Sequence, residues 1–140
     1  MTIMSLDIFL APFRNGKPLT FDRSLLLEAF GRNADLVESG FSRIRYSNEE
    51  GAQLYGAEEQ TVAHGLSFNH FGGDQFFAGL WRLADRTNAV IFWPGRKGNA
   101  VISSEAVLTH ADPEFIEPLQ PIKIVTNGER LTDYMVEQLS

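Results

Sequence analysis

The sequence predicts an α+β domain, a mixed and largely antiparallel sheet with three to four helices packed on it. Three observations carry that expectation. Short apolar runs of period two recur between clusters of turn residues, the mark of half-buried strands. Two longer stretches, after Gly73 and after Asn127, set apolar residues at helical spacing. Hairpin-length turns alternate with helical connections, which mixes antiparallel pairing with crossovers.

Leu6, Ile8 and Leu10 alternate with Asp7, Phe9 and Ala11 as an opening strand that Pro12 ends. Asn15-Gly16-Lys17-Pro18 turns the chain. Asp22 is a good N-cap for a first helix that buries Leu25, Leu26, Ala29 and Phe30 and stops at Gly31. Phe41 to Tyr46 and Ala52 to Tyr55 read as strands joined through Asn48-Glu49-Glu50-Gly51, and Val62 to Phe68 reads as a third. The clearest helix follows, with Asp74 as its expected cap, Phe76, Phe77, Leu80, Leu83 and Ala84 facing a core, and Asn88 at its end. The unbroken apolar run Ala89 to Trp93 suits a strand covered on both faces. Its hairpin partner is Ala100 to Ser103, across the turn Pro94-Gly95-Arg96-Lys97-Gly98-Asn99. Ser104 is placed to cap a short helix through His110. Asp112-Pro113-Glu114 opens another, which Pro118 and Pro121 keep short. After a strand over Ile122 to Val125, Thr126-Asn127-Gly128-Glu129 has the form of a capping box. Leu131, Tyr134, Met135 and Leu139 then dock a last helix.

At 140 residues, of which 44% are hydrophobic and 21% charged, one core and one domain over residues 1–140 are expected. Cysteine is absent, which excludes disulfides, thiolate nucleophiles and cysteine-held metals. The first residues lack the basic start and long apolar run of a secretory signal. With no uninterrupted apolar stretch of about twenty residues, no membrane association is expected and the location is taken as cytoplasmic. The formal net charge is −6. Residues 1–47 hold six basic and five acidic side chains, and residues 48–140 hold six basic and thirteen acidic ones. An acidic chain repels phosphates, so no nucleic acid partner is expected, whereas a basic protein would be attracted.

Candidate chemistry is sparse. Asn69-His70-Phe71-Gly72-Gly73-Asp74 lies where a strand meets a helix, a place for an anion among backbone amides. Against that, the segment lacks a P-loop ending, and Asp74 would take the amides itself. His64, His70 and His110 have no metal-ligand spacing. On one strand, His64 and His70 would stand about 20 Å apart, at ~3.3 Å per residue, so neither a metal nor another cofactor is expected. His70 with Asp74, and His110 with Asp112 or Glu114, are the local pairs for acid–base work, yet no motif orients a nucleophile beside them. Trp93, Arg96 and Lys97 put an aromatic ring beside two cations on one turn, a recognition-loop composition. With His70 they are the expected binding residues.

These features favour a small protein-binding module, such as an inhibitor, an immunity-type neutraliser or an adaptor, using an acidic surface and aromatic loops. The alternatives are a small hydrolase or isomerase working through His70 or His110, and a ligand-binding domain lined by aromatic residues. Catalytic residues are not assignable from the sequence, and pairing of Ala52 to Tyr55 with a second copy is left open.

Overall fold

The computed structural model of the chain describes residues 6–31, 36–38, 41–47 and 50–139. Asn48 and Glu49 of the expected turn lie outside the described residues. In chain order the elements are β1 (Ile8–Ala11), β2 (Phe13–Arg14), β3 (Lys17–Pro18), β4 (Phe21–Asp22), α1 (Ser24–Phe30), β5 (Leu36–Glu38), β6 (Phe41–Arg45), β7 (Gly51–Tyr55), β8 (Thr61–Val62) and β9 (Leu66–Gly72). They continue with α2 (Asp74–Thr87), β10 (Val90–Phe92), β11 (Ala100–Ile102), α3 (Ala106–His110), α4 (Pro113–Ile116), a 3₁₀ turn over Glu117–Leu119, β12 (Lys123–Ile124) and α5 (Gly128–Leu139). The fold is α+β, as the periodicities indicate. No helix among the described residues is long and apolar enough to cross a membrane.

Eight strands form one sheet in the order β12-β11-β10-β1-β9-β7-β6-β5. Its neighbours are antiparallel except β11 and β12, which run parallel because α3 and α4 supply the crossover between them. Alternation along the strands divides the side chains between two faces. Ile8 and Leu10 of β1, Ile44 of β6, Leu54 of β7 and Phe68 of β9 point to one side, where α1, α2 and α5 complete the main core. Phe30, Phe68, Phe71, Phe76 and Phe77 are all 2% exposed or less and pack ring against ring, with centroids 5.3–6.1 Å apart. Burying each such side chain stabilises by roughly 1.5–3 kcal/mol.

On the opposite side a smaller core gathers Phe13, Val90, Ala100, Ile102, Val107 and Ala111, with Phe92, Phe115 and Leu119 packed against it. Thus β11 and the start of β10 are covered on both faces, Ile91 and Val101 facing one core and Val90 and Ile102 the other, while Phe92 at the end of β10 is only half-buried. The cover stops there. The outer face of β9, β7 and β6 carries half-buried and exposed side chains only.

Several local expectations shift by a residue. Asp74 is not the cap of α2. Gly73 takes that place with a positive φ that suits glycine (φ 99°, ψ 149°), and Asp74 is the first helical residue, where its charge still favours the helix dipole. Asn127, not Thr126, caps α5 by accepting the Arg130 N–H on its Oδ1 at 2.8 Å. Glu105 rather than Ser104 precedes α3, with no side-chain cap. Asp112 does cap α4, accepting the Glu114 N–H at 3.0 Å, and Asn88 ends α2 in the left-handed region. The expected single strand over Val62 to Phe68 is broken at Gly65 (φ 76°). A Cβ there would meet the Leu10 carbonyl oxygen at 2.7 Å, so Val62 pairs with Phe21 instead and β9 starts afresh at Leu66.

Candidate binding surface

The uncovered half-face is built by cross-strand register. Tyr55 pairs with Ser67, Ser67 with Phe9 and Phe9 with Phe92, and Phe41 lies against Tyr55 with ring centroids 5.8 Å apart. Phe9 and Phe92 stack at 5.3 Å. One row of side chains, aromatic but for Ser67, therefore crosses five strands from β6 to β10, about 19 Å at ~4.8 Å per strand. Tyr55 is 38% exposed, and Phe41, Phe9 and Phe92 are half-buried. Beside this row runs a polar one. Arg43 pairs with Gln53 and Gln53 with Asn69, and the Asn69 amide donates to the Asp7 carboxylate. The Tyr55 hydroxyl donates to Gln53 Oε1 at 3.2 Å, and the Arg43 guanidinium stands 5.7 Å from the Phe41 ring centroid, an attraction that fixes both side chains.

His70 reaches the same face through a β-bulge. Between the pairs Gln53–Asn69 and Gly51–Gly72, β7 contributes Ala52 whereas β9 contributes both His70 and Phe71. The alternation that buries Leu66 and Phe68 would send His70 inward. The extra residue turns it out to solvent and places Phe71 in the core at 0% exposure. The cost is a left-handed conformation at His70 (φ 50°), roughly 1–2 kcal/mol for a residue with a Cβ. His70 borders a concavity of about 250 Å³ with Arg43, Arg45, Ser47, Glu50 and Gln53. The neighbouring helix start, which the sequence disfavours as an anion site, lies beside a carboxylate of the chain. A Cβ on Gly73 would lie 2.6 Å from Glu50 Cγ and 2.9 Å from its Oε2, so the Glu50 side chain packs beside the residue that precedes α2.

The expected recognition loop divides. Trp93 is 5% exposed, belongs to the main core and meets the Tyr134 ring edge-on at 6.5 Å. Its burial leaves the loop surface to Arg96 and Lys97, which are exposed. The loop is held by the Trp93 N–H donating to the Asn99 carbonyl at 3.1 Å and by the Asn99 amide donating to the Pro94 carbonyl at 3.1 Å. With Phe9, Phe92, Pro118 and Leu119, the two cations edge a concavity of about 350 Å³ at the end of the aromatic row. Neither the row nor the bulge was drawn out of the sequence. The signal available was alternation in three strands, but cross-strand partners are not readable from it.

The remaining candidates have structural roles or stand apart. His110 Nδ1 accepts the Asn15 N–H at 3.3 Å and its carbonyl accepts the Gly16 N–H at 2.7 Å, so it holds the β2–β3 turn on the end of α3. Asp112 is engaged as the α4 cap, and no hydrogen bond joins it to His110. His70 and Asp74 share none either, and His64 is exposed on its own loop. Among the described residues no three His, Asp or Glu side chains group as metal ligands. Many of the acidic residues lie outside the strands of the open face: Glu105, Asp112, Glu114 and Glu117 on the α3–α4 stretch, which holds no lysine or arginine, and Glu129, Asp133 and Glu137 on α5.

No family model, no curated protein and no solved structure matches the chain.

Proposed function

We propose that the chain is a small protein-binding module of the cytoplasm, an inhibitor, neutraliser or adaptor, whose contact surface is the open half of its sheet. The observation that carries this reading is the aromatic row, Phe41, Tyr55, Phe9 and Phe92, aligned in register and left partly exposed beside a core that is otherwise closed by helices. Tyrosine and phenylalanine held rigidly on strands offer large contact area at little entropic cost. An open sheet face with polar side chains alongside is suited to another protein surface more than to a small molecule, which needs an enclosing pocket. The aromatic contribution comes from strands rather than loops, and the acidic surface belongs to elements other than the aromatic row.

The test uses the partner captured from the native host and then purified. Ser67→Arg places a bulky cation in the middle of the row, whereas Leu27→Arg places one on the exposed side of α1. Calorimetry should show binding weakened by at least about tenfold, roughly 1.4 kcal/mol, for Ser67→Arg and unchanged for Leu27→Arg. The reverse pattern would remove the open face as the contact surface.

A further inference from the structure

We infer that the occupant of the open face is an acidic segment of a partner protein, lying across β6, β7, β9, β1 and β10 with apolar side chains on the aromatic row and carboxylates toward one end of the strands. This rests on the docking reading above and adds the sign of the partner's charge, which is opposite to the one that the net charge of −6 suggests.

The register places the cations. Moving along β1 from Phe9 to Asp7 corresponds to moving along β10 from Phe92 toward Pro94, along β9 from Ser67 toward His70, and along β6 from Phe41 to Arg45. Arg43, Arg45, Arg96 and Lys97 therefore share one end of the sheet, with His70 between them. Arg43 and Arg45 stand on β6, and Arg96 and Lys97 follow β10, so the two cationic groups flank the face about 19 Å apart. Arg45, Arg96 and Lys97 are exposed. Two carboxylates stand among these cations: Glu50, which lies between the start of α2 and the concavity that Arg43 and Arg45 border, and Asp7, which is occupied by Asn69. An otherwise acidic molecule thus presents a cationic end beside its exposed aromatic row.

The dimensions and charges select the occupant. Along β6 the face spans Phe41 to Arg45, about 14 Å at ~3.4 Å per residue, which with a breadth of about 19 Å seats one segment of a partner. Carboxylates at that segment's two ends would meet arginines able to bind them bidentately, and Asp7 at the middle would face its apolar or hydrogen-bonding part. A single-stranded nucleic acid would stack on the same rings, but it carries a phosphate at every step. Its central phosphates would then approach Asp7, against the field of an acidic chain.

The experiment titrates the isotope-labelled full chain with three probes: a short peptide alternating glutamate with phenylalanine, its lysine counterpart, and oligouridylate. The glutamate peptide should shift amide resonances of residues 41–45, 51–55 and 94–99 saturably and more tightly than the lysine peptide. Combining Arg45→Glu with Arg96→Glu and Lys97→Glu, all at exposed positions, should weaken it by about tenfold or more. Tighter binding of the lysine peptide to the same residues would overturn the acidic assignment while leaving the docking face in place. Oligouridylate binding there with both peptides silent would overturn both readings. Silence of all three probes would overturn the acidic-segment inference, and the Ser67→Arg comparison would still decide the docking face separately.

Discussion

Replacing Gly79 by alanine should destabilise the protein, although an alanine in mid-helix ordinarily helps. Gly79 lies in α2 where α1 crosses it. A Cβ at this position would stand 2.3 Å from Phe30 Cδ1, 2.7 Å from Cε1 and 3.1 Å from the Ala29 carbonyl oxygen, where non-bonded carbons prefer about 3.5–4.0 Å. The obstacles are held in place. The Phe30 ring stacks on Phe76 at 6.0 Å and leans on Phe68 at 6.1 Å, and the Ala29 carbonyl accepts from Arg82 Nε at 3.0 Å and Nη2 at 2.7 Å. Helix propensity favours alanine by about 1 kcal/mol, whereas forcing atoms into a filled core costs about 1–3 kcal/mol. With two ring carbons well inside contact distance, the upper part of that range applies, and a net loss of about 1–2 kcal/mol is expected. Urea denaturation should show a lower midpoint at unchanged slope, and thermal melting a fall of roughly 3–7 °C for a chain this size. A raised midpoint would refute the close α1–α2 crossing.

Three further outcomes follow from the structure. His70→Gly should raise stability by about 0.5–1 kcal/mol in urea titrations, because glycine adopts the positive φ of the bulge without strain, and a loss would mean that the histidine side chain holds the bulge. Trp93→Ala should cost about 3–5 kcal/mol, while Arg96→Ala with Lys97→Ala should stay within ~0.5 kcal/mol; equal effects would contradict the burial of Trp93. Hydrogen bonds from the Ser24 backbone N–H and then from the Gln60 side chain hold Asp22 below the usual carboxylate range. Its folded-state pKa is thus below its unfolded one, so its contribution is complete above about pH 4 and is lost as pH falls through the folded value. Asp22→Asn should flatten the acid limb of stability against pH, and an unaltered limb would rule out that linkage.

The sequence exposed most of the elements because their side chains obey simple periods. Phe76, Phe77, Leu80, Leu83 and Ala84 all lie in the core, and all of the run Ala89 to Trp93 but the half-buried Phe92 is buried, as its unbroken apolarity implies. Asp112 and Asn88 were legible as caps, whereas those of α2, α3 and α5 were legible only to within a residue. Neighbouring polar residues such as Thr126 and Asn127 compete for the role, and the direction from which the chain enters the helix decides between them. Gly65 and the bulge at His70 were not legible, since both depend on what the neighbouring strand brings close. The same limit hid the open face. Phe9, Phe41 and Tyr55 are far apart in sequence, and only strand order makes them one row. Trp93, read both as the end of the covered strand and as a ring on the turn with Arg96 and Lys97, is the last buried position before the turn, a distinction of one or two residues that composition does not resolve.

The open half of the sheet as contact surface is tested most directly by hydroxyl-radical footprinting of the chain alone and in its purified complex. Tyr55, Phe41 and Phe9 should lose reactivity on binding, while Leu27 and Val136, exposed on α1 and α5, should react as before. Protection of Leu27 or Val136 with Tyr55 and Phe41 still fully reactive would contradict the assignment and move the interface to the helical side.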